Sequence, residues 1–307
     1  MPRGSTPSQA AAALKAAGLV ILPTETVYGL GADASDPHGV ARLFEAKGRP
    51  KFNPLIAHVA DLEAAQAVAE LDDRALALAQ AFWPGPITLV APFRAGVCDL
   101  ARAGLDTVAV RVPAHPVARE ILALFGGPVV APSANRSGRP SPTTFQDAME
   151  ETGFAAAAAV DGGPCVVGLE STVVACLDGA VKLLRPGGLS RAEIEAVVGP
   201  LAEAETDAKR SPGRLTRHYA PAAPLRLNAD EPREGEAYLA FGPWPEGPLV
   251  WNLSPSGDIR EAAANLFAHL RAADRARPNG IAVAPIPAEG LGEAIADRLK
   301  RAAGFVG

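Results

Sequence analysis

The sequence predicts an α/β protein with a mixed sheet, built as one large unit followed by a smaller one. Two observations predict it. Up to residue 205, short apolar runs rich in Val and Ile alternate with amphipathic stretches, the pattern of strands and helices packed in layers. That rhythm lapses near residue 205 and resumes beyond residue 222, which divides the chain into 1–205, a connecting segment 206–222, and a second unit 223–307.

In chain order, the strand candidates of the first unit are "GLVILPT", "PLIAHVA", "PITLVAPF", "TVAVRVP", "PVVAPSAN", "STVVACL" and "AVKLLRP". Each is a short apolar run bounded by Pro, Gly or small polar residues. Between them, "PHGVARLFEAKG", "HPVAREILALFG" and "SRAEIEAVVG" place apolar residues at helical spacing. The Ala clusters at 10–13 and 155–159 read as helix-forming filler. The segment 206–222 carries Lys209, Arg210, Arg214 and Arg217 against one acid, with prolines and a glycine and no apolar period; it reads as an interdomain linker. Beyond it, "EAYLAFG", "PLVWNLS" and "GIAVAPIP" read as strands around the helix "IREAAANLFAHLRAADRA", and "LGEAIADRLKRAA" as a closing helix. This unit has roughly 85 residues, near the lower size for an independent core.

Composition narrows the function classes. With 307 residues and 48% hydrophobic content the chain can bury a sizeable core. No run reaches the roughly 20 apolar residues of a membrane span, and the start lacks the apolar stretch of a signal peptide; the expected location is the cytoplasm. Cys98, Cys165 and Cys176 are an odd count without CxxC spacing, so they are expected to be reduced thiols, mostly buried, and neither a disulfide framework nor a zinc knuckle. A net charge of -5 argues against a surface coated in basic residues for long nucleic acid, while leaving room for a local positive groove. There is no GxxxxGK[ST], strand-linked GxGxxG, GxSxG or HExxH, so nucleotide binding, if any, does not use a P-loop.

What remains is a set of polar residues at predicted strand ends. "LPTETVYGLGADA" leaves a buried run for Thr24, Glu25, Thr26 and Tyr28, a place where α/β proteins grip small polar ligands, or an ordinary strand-to-turn transition. "KGRPKFNPL" sets Lys47 and Arg49 on a Gly/Pro loop, a point charge and a planar fork suited to phosphate or carboxylate oxygens; solvated loop charges are the bland alternative. Arg111 sits between valines, and a buried guanidinium needs an anion, either an internal acid or a ligand. "APSANRSGRPSPT" offers Ser133, Asn135 and Ser141, and "GLESTVV" and "LLRPGG" place Ser171 and Arg185 at strand ends. Taken together they suggest one cleft for an anionic ligand.

The segments "PTETVYGLGADA", "KGRPKFNPL", "WPGPITLV", "VAVRVP", "APSANRSGRPSPT", "LESTVV", "LRPGG" and "SPGRLTRHYAP" occur in one order over most of residues 10–222. In this the chain resembles the YrdC-like L-threonylcarbamoyladenylate synthases, in their long two-domain form. The resemblance implies a YrdC-like twisted mixed sheet around a concave positive cleft, and residues 223–307 match in position, size and rhythm a smaller, Rossmann-like α/β domain. It implies a nucleotidyltransferase that converts L-threonine, bicarbonate and ATP into threonylcarbamoyl-AMP and pyrophosphate, for modification of adenosine 37 in tRNA by downstream threonylcarbamoyl-transferase proteins. Carried over by motif, the catalytic basic and polar residues are Lys47, Arg49, Ser133 and Asn135. Threonine-binding positions are Thr26, His58, Arg111, Ser171 and the backbone at Ala131. ATP-binding positions are Arg49, Asn53, Thr107, Ser133, Ser141, Arg185 and Tyr219. Mg2+ is expected to arrive with ATP, since the sequence offers no dedicated carboxylate cage. The segment "SPGRLTRHYAP" is expected to fold over the cleft as a lid.

A reading from another class is an RNA-binding or ribosome-assembly module that uses the same basic concave surface, with weak RNA binding as its minimal form. The net acidity and only 5% aromatic residues weigh against it. Hydrogenase-maturation proteins with a similar domain carry CxxC pairs that this chain lacks.

Overall fold

The computed structural model describes residues 4–50, 52–202 and 219–304. Residues 206–218, most of the expected lid, lie outside the described residues, as does Lys51. The first unit runs α1 (Pro7–Lys15), β1 (Leu19–Leu22), β2 (Gly29–Asp33), α2 (Pro37–Lys47), β3 (Ile56–His58), α3 (Leu62–Val68), α4 (Asp73–Phe82), β4 (Ile87–Pro92), α5 (Asp99–Arg102), β5 (Thr107–Arg111), α6 (Pro116–Phe125), β6 (Val129–Val130), α7 (Phe145–Thr152), β7 (Ala156–Ala159), β8 (Thr172–Leu177), β9 (Ala180–Arg185) and α8 (Arg191–Val198). The second runs β10 (Leu225–Arg226), β11 (Glu236–Ala240), β12 (Val250–Asn252), α9 (Ile259–Arg275), β13 (Gly280–Val283) and α10 (Gly292–Ala302).

Strands β1–β9 form one sheet in the order β7-β1-β2-β6-β3-β5-β4-β8-β9. It is mixed, as expected: β1–β7, β3–β5 and β4–β8 pair in parallel and their neighbours antiparallel. Along β1, Leu19 and Ile21 belong to the main core while Val20 and Leu22 face a second cluster with α1 and α6. The strand is covered on both sides, which is why it reads as an unbroken apolar run.

Local chemistry sets the helix ends. Thr6 and Gln9 form a capping box at α1, Ser190 and Glu193 another at α8, and Asp36 caps α2; each such cap contributes about 0.5–2 kcal/mol. Helix α2 stops at Gly48, whose φ of 58° is left-handed, and Lys47 and Arg49 therefore leave on either side of a sharp turn.

One expectation is corrected. The Ala cluster at 10–13 is helical, but 156–159 of the second cluster form the edge strand β7, parallel to β1. A Cβ on Gly18 would stand 2.9 Å from Ala157 Cβ, so this edge accepts only small side chains, and sheet pairing overrides alanine's helical preference.

In the second unit every strand pair is parallel, in the order β10-β13-β11-β12, with α9 and α10 packed together. This is the Rossmann-like rhythm expected of it. Its core continues into the first unit through Val27 and Leu169 and takes in Tyr219 of the connecting segment, whose ring lies 5.4 Å from that of Phe267. Ion pairs flank this seam: Arg271 to Glu151 at 3.2 Å, Arg275 to Glu150 at 2.6 Å, Arg298 to Glu170 at 2.8 Å and Arg191 to Glu293 at 2.9 Å. Cys98, Cys165 and Cys176 are free thiols, the last two buried.

Candidate active site

Strand ends that are far apart in sequence meet at one hollow. The turn after β1 brings Thr24 and Thr26; β3 and β5 run side by side with His58 opposite Arg111; β8 begins just after Ser171, and β9 ends at Arg185, paired with Val173. The segment 131–135 is laid against β2 by an isolated bridge between Gly29 and Ser133, by Leu30 N donating to Pro132 O at 2.9 Å and by Ala134 N donating to Tyr28 O at 2.7 Å. Together they form one hollow lined by Thr26, Arg49, His58, Arg111, Ala131, Ser133, Glu170, Ser171, Arg185 and Tyr219, among others.

At one end lies Arg111. Its Nε donates to Gly85 O at 3.2 Å, Nη1 to Thr26 Oγ1 at 2.9 Å and Nη2 to Glu25 Oε1 at 2.6 Å. The buried cation thus has an internal acid, the first alternative posed by the sequence, and it also lines the hollow. These bonds use three of a guanidinium's five N–H groups, and two remain for a ligand. Burial raises the Glu25 carboxyl, but Arg111 and the Ala114 amide outweigh it and hold it below its ordinary value. Burial and the Arg111 charge push His58 down to about 3, so its imidazole is neutral at physiological pH. With Nδ1 3.2 Å from Ile56 O, the tautomer that donates there leaves Nε2 as an acceptor. Ser171 Oγ sits 2.7 Å from Thr88 Oγ1, and Ala131 donates its backbone N–H to Ile56 O at 3.2 Å.

At the other end lie Arg49 and Arg185. Arg49 Nη2 donates to Pro54 O at 3.3 Å and Arg185 Nη2 to Ser171 O at 2.8 Å. The Nε atoms of both are buried and have no hydrogen-bond partner among the described residues. Burial lowers both guanidinium groups, Arg49 to about 10 with Arg185 adding to the shift. Tyr219 completes this wall, its phenol pushed up to about 12 by burial.

Five expected residues are not in the lining, for separate physical reasons. Lys47 turns its Nζ into the carbonyls of Ser133 and Asn135 and is buried; it struts the 133–135 segment where the sequence suggests a cation facing the ligand. Burial and Arg49 lower its ammonium well below the usual value. Asn135 is 1% exposed and spends Nδ2 on Arg136 O at 2.8 Å and Arg139 O at 2.9 Å, bracing its own loop. Ser141 donates to Glu170 Oε1 at 2.5 Å and so stands behind that carboxylate. Asn53 is buried within the 49–55 loop. Thr107 shares the sheet face of Arg111 but lies four residues away along β5, about 13 Å.

Two residues that matter here are not singled out by the sequence for this site. Glu170 lines the hollow, and Arg298 from α10 holds it; although burial raises its carboxyl, Arg298, Arg185 and Ser141 together bring Glu170 down to about 2. The "LEST" motif contains the acid, but nothing local points to a partner 128 residues away.

These features define a class: an α/β protein whose strand ends enclose a cationic cleft for a small ligand bearing negative charge. Comparison makes this specific. The chain belongs to the Sua5/YciO/YrdC family, whose model, described as "Telomere recombination", matches residues 12–187; a second, "Threonylcarbamoyl-AMP synthase, C-terminal domain", matches residues 189–304. The Threonylcarbamoyl-AMP synthase of Pyrococcus abyssi (strain GE5 / Orsay) is 40% identical over 96% of this chain and 93% of its own length. That of Bacillus subtilis (strain 168) is 38% identical over 97% and 92%. The crystal structure of P. abyssi Sua5 complexed with L-threonine superposes with a TM-score of 0.90 at 38% identity, covering 97% of this chain and 94% of that one.

Proposed function

We propose that this chain is a threonylcarbamoyl-AMP synthase, an enzyme of the nucleotidyl-transfer type, acting on L-threonine and ATP with bicarbonate as the carbon source. One observation carries the reading: a single hollow is lined by a paired guanidinium, Arg111, and by two guanidinium groups with unpartnered buried Nε atoms, Arg49 and Arg185. Such donors favour an amino-acid carboxylate on one side and phosphates on the other.

In the reaction the threonine nitrogen, having lost a proton, forms a C–N bond to the carbon of bicarbonate or CO2 and yields a carbamate, with water leaving when bicarbonate reacts. A carbamate oxygen then bonds to the α-phosphorus as the bond to the β-phosphate oxygen breaks and pyrophosphate departs. Both partners are anions, so fixed cations must offset their repulsion and the charge that spreads over the phosphoryl oxygens. Arg111 orients the carboxylate, the Thr26 and Ser171 hydroxyls and neutral His58 hydrogen-bond the rest of the amino acid, and the Ala131 backbone borders it. Arg49, Arg185, Ser133 and Tyr219 take the nucleotide. Lys47 and Asn135 act by holding the Ser133 segment rigid, Ser141 through Glu170, and Asn53 and Thr107 at the margins. Mg2+ would enter as part of the nucleotide, because the one carboxylate lining the hollow, Glu170, is committed to Arg298, and the nearby Glu25 to Arg111. The product supplies the modification of adenosine 37 in tRNA by downstream transferases. Tyr219, from the described end of the 206–222 segment, lines the hollow, and the rest of the expected lid lies outside the described residues.

Incubation with ATP, bicarbonate and threonine, serine or glycine, followed by pyrophosphate measurement, tests this. Release should require bicarbonate and be fastest with threonine. Release that ignores the amino acid would refute the assignment.

A further inference from the structure

The C-terminal helix α10 reaches the hollow through one side chain. Arg298 is 1% exposed, and its Nε donates to Glu170 Oε2 at 2.8 Å, Nη2 to Pro186 O at 3.0 Å and Nη1 to Asp297 Oδ2 at 2.6 Å. Its guanidinium also lies 5.3 Å from the centre of the Tyr219 ring. Every nitrogen is engaged with protein and Arg298 does not line the hollow, so it is not itself a ligand-binding cation.

Glu170 is the group whose position matters. It lines the hollow at 7% exposure, and the next residue, Ser171, accepts from Arg185 through both its carbonyl and its hydroxyl, at 2.8 and 3.3 Å. A carboxylate beside a buried guanidinium with an unpartnered Nε would pair with it if free to turn, because a buried charge without a partner is strongly unfavourable. That pairing would cancel a cation the hollow presents to its ligand. The observed geometry prevents it: Oε2 is taken by Arg298 and Oε1 by the Ser141 hydroxyl at 2.5 Å.

We infer that Arg298 is a positioning residue for nucleotide binding: by holding Glu170, it leaves the Arg185 Nε without a protein partner and available for phosphate. This rests on the proposed function and gives the C-terminal domain a part in it, that of supplying the counter-charge which keeps the cleft cationic. The effect falls first on the nucleotide positions, since Arg298 bonds Glu170 and lies over Tyr219 and bonds none of the groups that bond Arg111.

Calorimetric titration of the full chain with ATP and, separately, with threonine tests the inference without depending on turnover. Arg298→Met should weaken ATP binding about tenfold or more, the size expected for losing a hydrogen bond between charged groups, with threonine affinity within about twofold of wild type. In the double variant Arg298→Met/Glu170→Gln no carboxylate remains to quench Arg185, and ATP affinity should recover to within about threefold. Arg298→Lys, which keeps a cation beside Glu170 should the methionine variant not fold, should recover it likewise. The inference is overturned if the methionine variant binds ATP as wild type does, if the double variant stays as weak as the single, or if lysine is no better than methionine. A wild-type chain that binds no ATP would overturn the proposed function as well; one that binds ATP while the variants do not respond overturns this inference alone.

Discussion

His58 and Arg111 face each other on neighbouring strands, and burial, with the cation's charge adding to it, keeps the imidazole uncharged. This sets a pH response. The folded His58 has its pKa lowered from 6.5 to about 3, so between these values the unfolded chain binds the extra proton and stability falls as pH falls. Glu25 and Glu170 are also lowered, each from 4.5, and their contribution, full above that value, is lost only below it. In the window from pH 6.5 to 4.5 the decline therefore comes from the imidazoles of His58 and of His269, which burial also lowers. Urea unfolding at a series of pH values should show stability dropping across that window in wild type and a flatter line in His58→Gln; parallel lines would contradict the neutral buried imidazole. Single residues differ in how much of this the sequence discloses. A guanidinium among valines demands an anion, and Glu25, 2.6 Å away, is that anion. The direction in which a loop side chain turns is not legible: Lys47 and Asn135 are visible as polar residues, but carbonyls of the 133–139 loop decide that both brace it.

At the scale of elements, the "LRPGG" turn explains why glycine is required. A Cβ on Gly187 would stand 2.3 Å from Glu170 O, 2.5 Å from Ser171 C and 2.5 Å from Thr172 N. All three are backbone atoms, so neither side can yield cheaply. Gly187→Ala should force β9 away from the start of β8, cost about 1–3 kcal/mol in urea denaturation and weaken ATP binding by shifting Arg185; unchanged stability and ATP affinity would refute this close approach. Several strands of the first unit are legible because both faces are covered and their sequences run apolar from end to end. Strand β2, with two glycines in "GLGAD", and β7, four alanines, carry no such signal. Helices α3 and α4 also escape the apolar rhythm, although Asp61 and Asp72 cap them. In α7, buried Asp147 and Glu151 break the apolar pattern, and their partners, Arg275 and Arg271, belong to the other domain.

The whole molecule is a convergence. Residues 24, 26, 49, 58, 111, 131–133, 170–171 and 185 come from separate strand ends and loops of one sheet, and Tyr219 from beyond it closes the wall. The sequence discloses the ends, since polar residues stop apolar runs, and the resemblance supplies the reaction. It does not disclose that the second domain docks through Phe267 and Tyr219 in one shared core and reaches the site through Arg298, because that docking is a property of tertiary packing with no local period. On the proposed function, these ends form one preorganised cationic hollow in which two anionic reactants meet. The most direct test of this claim is pyrophosphate release by Arg49→Ala, measured beside threonine binding to the same variant. Turnover should fall by about 100-fold or more, the scale of removing one electrostatic donor to a transition state, while threonine binds as in wild type. Wild-type turnover in that variant, or threonine binding lost along with it, would contradict the claim.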